Sequence, residues 1–220
     1  MPAIFTDRRG GSSLAPYESF NLALHVGDNL EVVAENRAEL SVIAGNVQFM
    51  NQVHGDSFIV VEKFSTIDPT CDALITTTPG LPLAVLVADC IPLLLSSSTV
   101  VAAVHVGRKG LMSSIALLVI EEMRRLGADS IHAQLGASIC GQCYELPVAM
   151  ADEVLRVHPE AFALTREGNP ALNLPKGLIA ELVGEGITYE ASRICTLEDP
   201  LYFSYRRHNI TGRNAGVIWL

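Results

Sequence analysis

Three residues with metal-binding side chains stand beside apolar, strand-like segments of this sequence. Cys90 follows the run from Leu83 to Val87, and His105 directly follows the run from Val100 to Val104. His54 lies in a short polar loop just before another such run. The end of a strand suits a binding site, because the sheet fixes the backbone while the side chain faces a pocket. We therefore predict that His54, Cys90 and His105 meet in space and bind a metal ion.

The distances along the chain do not by themselves select this triad. The three residues are too far apart to match any short zinc-binding motif. His54 and His105 each have a glycine within two residues, however, and glycine lets the backbone approach a ligand closely. The remaining histidines are interpreted as hydrogen-bonded residues of the core; they are His25, His132, His158 and His208.

A second possible site is the pair Cys140 and Cys143, which has the spacing of a redox pair or of half a structural zinc site. A ribbon-type zinc site needs a second pair, and in the sequence Cys71 and Cys195 stand alone. A redox pair is expected at the start of a helix in a βαβ unit. Neither condition is clearly met, so we favour small thiols packed near a sheet edge.

Several charged residues admit more than one interpretation. Asp89 precedes Cys90, and strand alternation would send the two side chains to opposite faces, so Asp89 is a supporting acceptor or a turn residue. Asp56 and Glu145 are candidates for a general acid or base, although no spacing selects them. The arginines at 206, 207 and 213 are either surface charges or phosphate clamps.

The surrounding elements predict a mixed fold. A helix capped by Asp28 or Asn29 is expected to run to about Ile43, and the clearest amphipathic helix runs from Leu111 to Leu126, where Gly127 ends it. Its N-terminus would favour an anion near the proposed site. Further helices and short strands alternate without any repeat. We expect one α/β (α+β) domain over residues 1–220, with mixed β-sheets and layered helices. The other expected helices are 147–157 and 175–182, and the expected strands are 47–50, 57–61, 71–76, 83–87, 100–104, 131–135, 188–191, 203–207 and 217–220.

Composition excludes several classes of protein. Hydrophobic residues make up 49% of the chain and charged residues 18%, which rules out disorder as the main state. A net charge of −9 argues against nucleic-acid binding, because no large basic surface is available. The N-terminus does not read as a secretory signal. The longest apolar region, 81–95, is shorter than the roughly 20 residues of a membrane helix and is interpreted as buried strands. Five cysteines, an odd number, favour reduced thiols, so we expect a cytoplasmic protein without membrane association.

Several ordered motifs resemble one known family over nearly the whole chain. They are Asn51-Gln-Val-His-Gly55, Ala88-Asp-Cys90, His105-Val-Gly-Arg-Lys-Gly110, Cys143-Tyr-Glu145 and Thr211-Gly-Arg213. Together they are similar to the YfiH or laccase-domain family, which is also called the multicopper polyphenol oxidase or purine nucleoside phosphorylase family. The resemblance implies a YfiH-like α/β fold and a zinc site formed by His54, Cys90 and His105.

This chain departs from the family in its third motif. The usual His-Ala-Gly-Trp-Arg-Gly is replaced here by His105-Val-Gly-Arg-Lys-Gly110, so Arg108 stands for the tryptophan and Lys109 for the arginine. The indole would offer a stacking surface, and a lysine cannot reproduce the fork of a guanidinium group. The departure therefore concerns substrate preference more than zinc binding.

The activity implied by the resemblance is phosphorolysis of adenosine, inosine or methylthioadenosine, together with deamination of adenosine. The expected partners are a small nucleoside and phosphate, and the expected cofactor is Zn²⁺ rather than copper. Arg8, Arg108 and Lys109 are the expected substrate-binding residues. Two alternatives come from the same family: a hydrolase that edits peptidoglycan precursors with Cys90 as nucleophile, and a copper-dependent polyphenol oxidase (laccase), which too few histidines disfavour.

Overall fold

Two β-sheets packed face to face form the frame of this protein, for which a computed structural model describes residues 1–220. The strands are β1 (Ala3–Phe5), β2 (Phe58–Val60), β3 (Ala73–Thr76), β4 (Leu83–Val87), β5 (Ile91–Ser96), β6 (Val101–Val106), β7 (His132–Leu135), β8 (Phe162–Leu164), β9 (Pro170–Leu172), β10 (Thr188–Ala191) and β11 (Asn214–Ile218). The helices are α1 (Leu30–Ala44), α2 (Arg108–Met112), α3 (Ile115–Arg125), α4 (Val148–Leu155) and α5 (Leu174–Gly184), with a 3₁₀ turn at Pro159–Ala161.

The larger sheet has six strands in the order β10-β7-β5-β6-β3-β2, and the smaller has three in the order β1-β11-β4. Strands β8 and β9 form a separate hairpin. Both parallel and antiparallel pairs occur in the larger sheet, because β2 runs parallel to β3 while β6 runs antiparallel to both β3 and β5. The mixed α/β class predicted from the sequence is confirmed.

Strand β5 shows how the layers are arranged. Leu93 and Leu95 pack into a core shared with α3 and α5, whereas Leu94 packs into a core shared with β4. Successive side chains of a strand point to opposite faces, so the larger sheet is covered by helices on one face and by the smaller sheet on the other. Helix α1 covers the outer face of the smaller sheet through Leu40 and Ala44. This double burial explains why β5 and its neighbours are almost continuously apolar.

The helix predicted from Leu111 to Leu126 is two helices. Ser114 has a left-handed backbone (φ 52°), which ends α2 and turns the chain into α3. Helix α1 begins as predicted, because the side chain of Asn29 accepts the backbone N–H groups of Glu31 and Val32. None of the helices combines the length and the apolar character needed to cross a lipid bilayer.

Two predicted strands are absent, and three observed strands were not predicted. Residues 47–50 contribute only an isolated bridge, between Gln48 and Leu83. Residues 203–207 form turns, because the Arg207 guanidinium donates to nearby carbonyl oxygens, including those of Thr196 and Leu197 at 2.8 and 3.0 Å. The strands that the pattern did not predict are β1, β8 and β9, each three residues long.

Candidate functional site

The structure brings together the three residues predicted to bind a metal. One side-chain donor atom from each of His54, Cys90 and His105 lies within 4.8 Å of the other two. The two imidazole rings meet edge to face, with centroids 4.7 Å apart and an interplanar angle of 86°. His105 lies in β6, Cys90 directly precedes β5, and His54 lies in the loop before β2, so all three are positioned by the six-stranded sheet.

Asp72 holds two of these residues in place. Its carboxylate is fully buried and accepts the backbone N–H groups of Val53, His54 and Gly55 at 3.2, 3.0 and 2.6 Å. The same carboxylate lies 2.8 Å from Nδ1 of His105. His54 has φ +58°, a conformation that is uncommon outside glycine, and the three N–H groups converging on Asp72 stabilise this turn.

Because a carboxylate can only accept at this position, Asp72 places the proton of His105 on Nδ1. A metal ion would displace the proton on the other ring nitrogen, Nε2, and bind through its lone pair. Although burial disfavours the charge, the hydrogen bond from His105 and the N–H of Gly55 hold the pKa of Asp72 below its ordinary value. Asp72 is therefore an anion that orients the imidazole of His105, one of the three predicted metal ligands.

Cys90 is activated by its two histidine neighbours. Burial alone would raise the pKa of its thiol, but the nearby charge of His105 and hydrogen bonds from His105 and His54 lower the pKa to about 6. Burial alone would lower the pKa of His105, but the Cys90 thiolate and Asp72 raise it to about 9. Between these values Cys90 is a thiolate, which is the form that binds a metal or acts as a nucleophile.

Gly107 lies directly against the triad. A Cβ atom at this position would lie 3.1 Å from Sγ of Cys90 and 3.5 Å from Cδ2 of His54. Any side chain would therefore crowd the space between the donors. Gly107 has an ordinary extended backbone (φ −91°, ψ −174°) at the start of α2, so the reason for glycine here is the close approach of the site rather than conformational freedom.

The triad lies at one wall of a cavity of about 370 Å³. This is within the roughly 300–1,000 Å³ of small-molecule sites. The opposite parts of the wall come from the smaller sheet and from the loop that precedes β11. The lining residues include the triad and His25, Gln52, Leu86, Val87, Ala88, Asp89, Tyr144, Tyr205, Arg206 and Arg213.

Two arginines give the cavity positive charge. The guanidinium of Arg213 donates to the carbonyl oxygens of Thr211 and Gly212, both at 3.0 Å, and forms no ion pair with a carboxylate. Burial lowers the pKa of Arg213, but an arginine stays protonated. Arg206 donates to the carbonyl oxygen of Glu145 at 2.9 Å and lies over the Tyr144 ring at 5.1 Å. Neither charge is neutralised by an acidic side chain, which suits an anionic ligand.

The three residues predicted to bind substrate lie elsewhere. Arg8 donates to the carbonyl oxygen of Glu18 at 2.6 Å and lies over the Phe203 ring. Arg108 is 3.6 Å from the Glu153 carboxylate, and Lys109 is exposed. None of the three lines the cavity, so their role in binding substrate stays a prediction.

Asp89 lines the cavity as a turn residue. Its φ of +97° places its backbone in a region that L-residues avoid, and its carboxylate accepts from the Thr196 hydroxyl and the Arg206 backbone N–H, both at 2.7 Å. The two other carboxylates considered as acid or base do not line the cavity: Asp56 is exposed, and the Glu145 side chain accepts from Asn169 at 3.1 Å.

Sequence reasoning missed several residues of the site. His25 is exposed and lines the cavity, so its interpretation as a core residue was wrong. Gln52 fixes the loop before His54 by pairing its amide with the backbone of Leu86, at 2.7 and 2.8 Å. Asp72, an acidic residue that directly precedes an apolar strand, carried a signal that could have identified it.

Cys195 also proved not to stand alone. Donor atoms of Cys140, Cys143, Cys195 and Glu198 lie within 4.8 Å of one another, and this thiol cluster is separate from the triad. The loops that carry it follow β7 and β10, which pair in parallel and end at the same edge of the sheet.

Comparison with known proteins relates the whole chain to one family. The family model described as multi-copper polyphenol oxidoreductase laccase matches residues 2–220 of this chain. A purine nucleoside phosphorylase of Corynebacterium glutamicum is 44% identical, with 99% of this chain and 93% of the relative covered. A purine nucleoside phosphorylase of Streptomyces coelicolor is also 44% identical, with 98% and 94% covered.

Solved structures give the same relationship. The Neisseria meningitidis protein NMB0706 superposes with a TM-score of 0.90 at 32% identity, covering 99% of this chain and 93% of that one. The YfiH protein of Bacillus licheniformis also superposes with a TM-score of 0.90 at 32% identity, covering 99% and 92%. At these values the relationship extends through the full chain, including both sheets.

Proposed function

The chain belongs to the family described as multi-copper polyphenol oxidoreductase laccase, and from this premise we propose that it is a zinc-dependent purine nucleoside phosphorylase that also deaminates adenosine. The relatives at 44% identity carry the name purine nucleoside phosphorylase. The observation that carries the proposal is the position of the triad His54, Cys90 and His105 in one cavity with the unpaired guanidinium of Arg213.

The triad suits a zinc ion by its donor chemistry. Two imidazole nitrogens and one thiolate are ligands that zinc prefers, and three protein ligands are typical of catalytic rather than structural zinc sites. Asp72 fixes the tautomer of His105, and Gly107 leaves the space between the donors free of a side chain. When bound, zinc would supply a Lewis acid for phosphate or for water.

The arginines suit the phosphate co-substrate. Arg213 and Arg206 present positive charge to the cavity, and a planar guanidinium group matches the geometry of phosphate oxygens. Phosphorolysis places a phosphate next to a sugar carbon that develops positive charge as the bond to the base breaks. Arg213 would hold and orient that phosphate, while the carboxylate of Asp89 favours the cationic sugar.

The remaining wall suits a purine. The aromatic side chains of Tyr144, Tyr205 and His25 line the cavity and offer flat surfaces for stacking. Burial raises the pKa of Tyr144, so its hydroxyl stays protonated and can donate a hydrogen bond to the base. Such a donor would help the leaving purine to accept negative charge, and the same placement of the base serves deamination of adenosine.

The test is phosphate-dependent cleavage of inosine. Zinc-loaded protein is expected to release hypoxanthine and ribose 1-phosphate only when phosphate is present, and to convert adenosine to inosine. Cys90→Ala is expected to lower the rate of both reactions by roughly 100-fold or more, because it removes one of three zinc ligands. The matched control is Cys71→Ala, which changes a buried cysteine outside the cavity. Full activity of Cys90→Ala would refute the proposal.

One observation favours a second function. Despite burial, His105 and His54 lower the pKa of Cys90 to about 6, so that Cys90 is a thiolate nucleophile beside an imidazolium that can protonate a leaving amine. This arrangement suits a hydrolase that edits peptidoglycan precursors. A thioester trapped on Cys90 in zinc-free protein, together with hydrolysis of an amide substrate, would favour it over the phosphorylase. If no thioester forms and nucleoside cleavage depends on zinc, the hydrolase function is excluded.

A further inference from the structure

The thiol cluster lies where two loops run side by side. Strands β7 and β10 are parallel and in register from His132 to Leu135, so their following loops leave the same edge of the sheet. The loops continue together through a parallel bridge between Ser138 and Cys195. This geometry brings Cys140 and Cys143 close to Cys195, which lies more than fifty residues further along the chain. The cluster is therefore built by the sheet and does not depend on a mobile segment.

The contacts within the cluster resemble those of a metal site. The backbone N–H of Cys140 points to Sγ of Cys195 at 3.3 Å, and the Cys143 thiol donates to Oε1 of Glu198 at 3.3 Å. Tetrahedral zinc with sulfur ligands at about 2.3 Å needs sulfur atoms about 3.8 Å apart. The donors, within 4.8 Å of one another, are close to that spacing.

We propose that Cys140, Cys143 and Cys195, with Glu198 as the fourth ligand, bind a structural zinc ion. Three thiolates and one carboxylate complete a closed tetrahedral site without water, which is the pattern of structural rather than catalytic zinc. A disulfide would use two of the three thiols and leave the third thiol and the carboxylate without a role. Arg166 forms an ion pair with Glu198, so a positive charge balances part of the negative charge of the loaded site.

The ion would fix one wall of the cavity. Thr196, next to Cys195, donates its hydroxyl to the Asp89 carboxylate at 2.7 Å. Ile139, next to Cys140, donates its backbone N–H to the Asp89 carbonyl oxygen at 2.9 Å. Both loops that would share the zinc ion therefore hold Asp89 in its left-handed conformation. We expect loss of the ion to affect stability and substrate affinity before it affects the chemical step.

Zinc content, measured on protein purified in reducing buffer without chelator, tests the proposal. Wild type and the control Cys71→Ser are expected to hold two zinc ions per chain, Cys90→Ala one, Cys143→Ser one, and the double variant Cys90→Ala/Cys143→Ser none. A Cys143→Ser protein with the zinc content of wild type would overturn the proposal. A Cys90→Ala protein without zinc would also overturn it. If instead the triad held no zinc, wild type and Cys90→Ala would each hold one ion and Cys143→Ser none, so failure of the zinc-dependent phosphorylase proposal is distinguished from failure of this one.

A second measurement leaves the three cysteines of the cluster unchanged. Cobalt(II) bound to the Cys90→Ala protein is expected to give the intense sulfur-to-cobalt charge-transfer absorption of three thiolates and to raise the unfolding temperature by more than about 5 °C. Glu198→Gln should keep that absorption, because the sulfur ligands remain. A mass lower by two hydrogens under non-reducing conditions, which would indicate a Cys140–Cys143 disulfide in the purified protein, would overturn the proposal.

Discussion

The carboxylate of Asp72 offers the sharpest test of how the triad is held. In Asp72→Asn one oxygen becomes an NH₂ group, which is a donor and must face N–H donors. Oδ1 serves the His54 backbone and His105, while Oδ2 serves the backbones of Val53 and Gly55. Either orientation of the amide therefore breaks two hydrogen bonds.

The size of the effect follows from those bonds. A hydrogen bond to a charged group contributes about 1.5–3 kcal/mol, so the loss of two predicts a free energy of unfolding lower by about 3–6 kcal/mol. Loss of the partner that fixes a metal-binding histidine typically lowers metal affinity by about 10–100-fold. Zinc affinity should therefore fall even in the protein that remains folded.

The assay combines urea unfolding with zinc competition against a chromogenic chelator, both on zinc-free protein. The matched control is Asp56→Asn, which changes an exposed carboxylate in the same loop and should change neither quantity. Zinc affinity of Asp72→Asn within threefold of wild type, with an unchanged urea midpoint, would show that Asp72 does not support the site.

Three further predictions each concern a single residue. Gly107→Ala should weaken zinc binding about 10-fold in the same competition assay, because the new Cβ would lie 3.1 Å from Cys90 Sγ. The control is Gly184→Ala, whose Cβ would have no atom within 4 Å and which should leave the zinc affinity unchanged. Burial raises the pKa of Glu181 to about 7 from 4.5, so the stability due to its protonated form is complete below pH 4.5 and is lost as the pH rises through 7. Glu181→Gln should accordingly be more stable than wild type at pH 8, by about 3 kcal/mol in urea unfolding, and equal to it near pH 4; an equal difference at both pH values would contradict this. Arg213→Ala should raise the KM for phosphate about 10-fold or more, whereas Arg124→Ala, which breaks an exposed ion pair with Glu185, should leave it unchanged.

Much of the frame could be predicted from local patterns. The Asn29 cap predicted the start of α1, and the uninterrupted apolar runs predicted β4 and β6, because strands covered on both faces need apolar residues at every position. The break between α2 and α3 was not predictable, since Ser114 carries no signal for a left-handed backbone. Strands β1, β8 and β9 are too short for alternation to stand out.

The site was predictable only in part, for a physical reason. His54, Cys90 and His105 could be selected because each stands beside an apolar run. Gln52 and Cys195 act through contacts that depend on which strands become neighbours, and spacing along the chain does not encode this. The pairing of β7 with β10 is what brings Cys195 to Cys140, and no local pattern predicted that pairing.

The cavity is assembled from two halves that different sheets carry. The triad belongs to the six-stranded sheet, whereas Arg213 directly precedes β11 of the three-stranded sheet. The sheets pack through apolar side chains such as Val85 and Leu94, and no strand of one sheet pairs with a strand of the other. A polar tie crosses between them, because the Gln52 amide in the loop of His54 pairs with the backbone of Leu86 in β4. A small shift of one sheet over the other would therefore change the distance between the triad and Arg213 and would carry the His54 loop with it. Substitutions in the packing between the sheets are expected to change which molecules the cavity accepts, even where the triad itself is unchanged.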